Sequence, residues 1–165
     1  MKQKIGLIVD SSQVSKQIND LVKLSHSAQN YEITTLVINE TDRYPGNIFK
    51  NFCTYIQMRG FSKIVSVIFF SLVRRLEKKV MTRKKQYQHS YDKFDLSEHG
   101  FDTIRVIPQI SKSGLVYRYN QSDLEKIRKA NLNLIARAGS GILRGDILTT
   151  CPNGVISFHH ADNNI

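Results

Sequence analysis

The sequence predicts an α/β fold: a mostly parallel sheet with helices on both faces. Three observations predict it. The chain opens on an apolar, β-branched run, an amphipathic stretch, and a second apolar run. That β–α–β order implies parallel strands joined by a right-handed crossover. A third run of the same kind, LNLIARAG at 132–139, follows a helical segment far downstream. And 165 residues, 41% of them hydrophobic, suffice for the core of one domain.

Taken in order, KIGLIV (4–9) is a short apolar run and reads as a buried strand. Asp10–Ser12 offers a turn and a helix N-cap. Val14, Ile18, Leu21, Val22 and Leu24 recur at helical spacing, which predicts an amphipathic helix over 13–28. EITTLVIN (32–39) is the second strand. Residues 46–59 read as helical, Gly60 interrupts, and a longer helix runs from about 61 into the seventies or eighties. Residues 87–100 are polar and aromatic and read as loop. FDTIRVIP (101–108) and LVYRYN (115–120) read as strands or strand fragments. Ser122 and Glu125 have capping-box spacing and start a helix over 122–130. After the 132–139 strand, ILRGDIL (142–148) reads as a short helix, CPNG (151–154) as a turn, and GVISFHH (154–160) as the last strand. The whole is expected to be one Rossmann-like domain over 1–165, with a basic helical insertion at about 44–100.

Lys and Arg outnumber Asp and Glu by 24 to 14, a net charge of +10, which favours an anionic partner. Cys53 and Cys151 are isolated and in no metal-like spacing, so reduced thiols and a cytoplasmic setting are expected. The N-terminal apolar run is too short for a signal peptide. The longest apolar run, IVSVIFFSLV (64–73), falls short of the roughly 20 residues of a membrane span, so no membrane partner is expected.

In an open parallel sheet, ligands bind beyond the C-terminal ends of the strands. Asp10–Ser12, Ala138–Gly141 and Ser157–Asn164 fall there. Alternation along the last strand puts Ser157 and His159 on one face, and Ile156, Phe158 and His160 on the other. A histidine so placed can act as a general acid or base, or it can be a satisfied, half-buried ring. A Ser–His hydrolase pair is disfavoured, because no G-x-S-x-G elbow surrounds Ser157. His159, His160 and Asp162 are poor joint metal ligands, since adjacent histidines point apart. Neither VDSSQVS nor Gly139–Gly141 makes a dinucleotide or phosphate loop.

The segment from LNLIARAGSGIL to GVISFHHADNNI resembles the folate-binding core of the 10-formyltetrahydrofolate-dependent formyltransferases. These include the methionyl-tRNA formyltransferases and the sugar N-formyltransferases. Ile142-Leu143, Leu148, Pro152, Gly154 and Ile156–His159 fall in register with the family pattern, over about 35 residues. The resemblance implies that Gly141, Ile142 and Leu143 pack against the folate, whose pterin is held by backbone groups. It implies that His159 polarises the formyl group and that Ser157 stands where the family has asparagine. Serine is shorter and offers one hydroxyl in place of an amide. The family's third catalytic residue, an aspartate, lies further downstream, so the resemblance implies a truncated domain, incomplete at its C-terminal end and unable to finish the reaction alone. The acceptor would be an anionic primary amine: an amino sugar on a nucleotide, an aminoacyl-tRNA or a small amine.

The basic block RRLEKKVMTRKK (74–85) supports an alternative, a non-catalytic Rossmann-like module. There Arg74, Arg75, Lys78 and Lys79 would contact nucleic acid or another anionic partner. The plainer reading is a solvated helix face, with Val73, Leu76 and Val80 on its apolar line. An uncovered sheet edge after the last strand is expected to favour self-association.

Overall fold

The computed structural model describes residues 2–40, 61–84, 87, 92–111 and 115–157. Their chain divides into two compact units, Met1–Thr41 with Lys93–Ile165, and Asp42–Asp92.

The first unit is built on a parallel sheet. Strands β1 (Gln3–Val9), β3 (Tyr31–Asn39), β5 (Asp102–Val106), β8 (Leu134–Arg137) and β10 (Val155–Ser157) run side by side in the order β10-β8-β1-β3-β5. This is the α/β, Rossmann-like fold. Leu7, Ile8 and Val9 of β1 are fully buried, as a central parallel strand covered on both faces requires. At one edge, β5 exposes Asp102, Thr103 and Arg105, polar groups suited to an outer strand.

Each face carries its own core. Helix α1 (Lys16–Ser27) seats Val22 on Leu7, Val9, Leu36 and Ile38. On the opposite face, Leu124 and Ile127 of helix α3 (Gln121–Lys129) pack with Ile8, Val37, Val106 and Ile135. Burying each of those two side chains is worth about 1.5–3 kcal/mol. Two smaller sheets attach to the main one: an antiparallel pair of β2 (Gln13–Ser15) with β4 (Lys93–Asp95), and β6 (Gln109–Ile110), β7 (Val116–Arg118) and β9 (Ile142–Leu143) in that order.

Four expectations need correction. The first helix starts at Lys16, not at 13, because Gln13–Ser15 is drawn into pairing with Lys93–Asp95. The same pairing gives part of the expected 87–100 loop a strand, followed by a 3-10 turn at Leu96–His99. Asp95 caps that turn, accepting from the Ser97 N–H at 2.9 Å. The cap of α3 is Asn120, whose Oδ1 accepts the Asp123 N–H at 2.8 Å, not Ser122. Finally, 142–148 is no helix. Ile142–Leu143 is a strand parallel to β7, and a 3-10 turn occupies Asp146–Thr149. The expected helix at 46–59 lies outside the described residues.

In the second unit, helix α2 runs from Phe61 to Met81. Among the described residues, no helix is long and apolar enough to cross a membrane.

Candidate functional site

Strands β1 and β8 are neighbours whose onward connections leave in opposite directions, so the order of the sheet reverses between them. A crevice at the C-terminal ends of two such strands is where open α/β sheets hold ligands. Here the polar groups of the C-terminal edge converge.

Asp10 follows β1 and ties this edge together. Its Oδ2 accepts the backbone N–H of Ser140 at 2.8 Å, which fixes the turn leaving β8. Its Oδ1 accepts from Asn39 Nδ2 at 3.1 Å, at the end of β3. Asn39 Oδ1 in turn accepts from the Tyr119 hydroxyl at 2.7 Å. Asn39 and Tyr119 are buried, so the chain of bonds runs from the core to the crevice. Burial pushes the Tyr119 hydroxyl well above its ordinary range. The bond to Asn39 opposes that shift, and the charge of Asp10 adds to it. Tyr119 is therefore a fixed neutral donor. Gly139 makes the Asp10 contact possible, since a Cβ there would sit 2.8 Å from Asp10 Oδ1.

On the other side of β8, Arg137 Nη1 donates to Ser157 Oγ at 3.1 Å, across a register that pairs the two residues directly. Arg137 Nε is buried and has no acceptor among the described residues. Arg137, Ala138 and Gly139 also line a cleft of about 670 Å³ whose far wall is α1, with Ile18 and Leu21 as its apolar part. That volume lies within the range of small-molecule sites.

Of the residues singled out in the sequence, Ser157 does stand at the C-terminal edge. Gly141 leaves the turn with φ +79°, and a Cβ on it would meet the Tyr117 ring at 2.6 Å. It thus lets β9 lie against Tyr117. Ile142 is half exposed and Leu143 is buried. The Ile142 N–H donates to Leu115 O and the Arg144 N–H to Tyr117 O, so both face β7. The intervening peptide groups of Leu143 face away from it, along the outer edge of the small sheet. His159, His160 and Asp162 lie outside the described residues. Among the described residues no cluster of His, Cys, Asp or Glu is arranged to hold a metal ion. Arg74, Arg75, Lys78 and Lys79 are together and exposed on α2.

Asn39, Tyr119 and Arg137 were not singled out in advance. Asn39 and Arg137 carry a signal, each a polar group at the end of an apolar strand run, whereas Tyr119 follows the charged Arg118 and carries none. No protein-family model, curated protein or solved structure matches the chain.

Proposed function

We propose that this chain is the folate-binding part of a formyltransferase that acts on a primary amine. The observation that carries this reading is the Arg137–Ser157 pair at the C-terminal edge of β8 and β10. Ser157 Oγ accepts from the guanidinium, so its own proton is left to donate outward. A donor polarised by a cation is what an oxygen developing negative charge requires. Formyl transfer develops such an oxygen as the amine nitrogen attacks the formyl carbon. Collapse then breaks the carbon's bond to the folate nitrogen, which takes up a proton in exchange for the one the amine gives up. His159, two positions along the chain from Ser157, is the residue assigned to polarise the formyl group.

The 10-formyltetrahydrofolate supplies the formyl carbon. Two features of the turn suit a flat, hydrogen-bonding ring system. Gly141 seats β9 against Tyr117, and the outward peptide groups of Leu143 then offer a donor and an acceptor along what is, among the described residues, the edge of the small sheet. Ile142, half exposed beside them, supplies apolar contact.

Isothermal titration of the full chain with 10-formyl-5,8-dideazafolate, a stable folate analogue, tests the reading. Saturable binding is expected, with marked weakening in Ile142→Glu, whose exposed site leaves the fold intact. Absence of binding to the unsubstituted chain, or equal binding by the variant, overturns it.

A further inference from the structure

The described side chains of α2, from Ile68 to Met81, form a broad apolar arc beside a mainly basic one. At 100° per residue, Ile68, Leu72, Leu76, Phe69, Val80 and Val73 cover an arc of about 140°. All six are exposed, by 42 to 66%. Arg74, Lys78 and Arg75 lie together on the other side, Lys79 falls at the edge of the apolar arc between Ile68 and Leu72, and Glu77, the exposed Phe70 and Met81 lie between Val73 and Arg74. Residues 61–84 hold seven Lys or Arg and one acid. An exposed apolar stripe of this length is uncommon on a soluble protein and marks an interaction surface.

The occupant follows from the two faces together. Nucleic acid would neutralise the basic row and leave seven large apolar side chains, Phe70 among them, in water. A second copy of the helix would use a narrower seam than this arc and would bring two basic rows into proximity. An anionic lipid surface takes both, with apolar groups in the acyl boundary and cations among the headgroup phosphates. We propose that α2 lies in the plane of an anionic lipid surface, with its Phe69–Leu72–Leu76 stripe buried in the boundary, Arg74, Arg75 and Lys78 over the phosphates, and the long Lys79 side chain reaching up to them from the edge of the stripe. No spanning segment is needed for this, which is why a search for a long apolar run does not find it.

Flotation of the full chain with phosphatidylcholine vesicles, with and without phosphatidylglycerol, tests the proposal. Binding is expected only to the anionic vesicles. Each of Leu72→Glu and Leu76→Glu should weaken it by about tenfold, as loss of one buried leucine implies. Arg74→Glu with Arg75→Glu should weaken it too. The protein has no Trp, so Leu72→Trp is a clean reporter. Its emission should shift to the blue on anionic vesicles, whereas that of Arg75→Trp should not. Binding that ignores both leucine substitutions overturns the proposal. So does salt-sensitive RNA binding without vesicle binding, or leucine substitutions that change only the oligomeric state.

Discussion

Asp123 is nearly out of solvent and is held as a carboxylate by three groups. Lys126 Nζ lies 2.7 Å away, the Ile107 N–H donates at 3.2 Å, and Asn120 Nδ2 donates at 3.1 Å. Burial alone would raise its pKa, but Lys126, Ile107 and Asn120 outweigh it and leave the group below its ordinary value of 3.8. A carboxyl harder to protonate when folded adds stability that is complete above its unfolded pKa and lost as the pH falls through the folded one. Urea unfolding at stepped pH should therefore show a loss below about pH 4 that Asp123→Asn flattens, with a cost of about 1–2 kcal/mol at neutral pH. The figure is modest because Lys126 is half exposed and water screens its share. At this scale the sequence shows which residues are polar among apolar ones, as at Asn39 and Arg137. It cannot show that Asp10 reaches both Asn39 and Ser140, because those bonds join positions 29 and 130 apart and exist only through the strand order.

Among the elements, α3 carries two rival start signals. Ser122 and Glu125 have capping-box spacing, yet Asn120 sits extended at φ −74° and ψ 164°, with its side chain on the Asp123 N–H. Asn120→Ala should cost about 1 kcal/mol in urea unfolding, and Ser122→Ala only a few tenths. The reverse order would restore the capping-box start. The long runs at β1, β3 and α2 were legible because many residues repeat one period. Two-residue β9 was not, since a period cannot be read from Ile142 and Leu143. Its partner, β7, is what makes it a strand, and a partner is not a local property. The β2–β4 pairing hid the true start of α1 for the same reason.

At the scale of the molecule, the described residues of both cores come from 1–41 and 93–165, and no described residue of either comes from 42–92. Excision of 42–92, with a flexible Gly/Ser bridge from Thr41 to Lys93, should leave a protein that unfolds cooperatively and has lost vesicle binding. Circular dichroism in urea checks the first outcome and flotation the second. A chain that no longer folds would mean that the excised unit supports the sheet. The parallel sheet was legible from its apolar runs, but the order of its strands was not, because crossovers leave no periodic trace. That order also fixes a sequence of events during synthesis. β1 leaves the ribosome before the other four strands of this sheet and sits at its centre. Its β3 partner is complete at Asn39, but its β8 partner only at Arg137. In between, an apolar strand waits with one edge open, and such edges recruit other chains. The vulnerable species is the half-made polypeptide rather than the finished one.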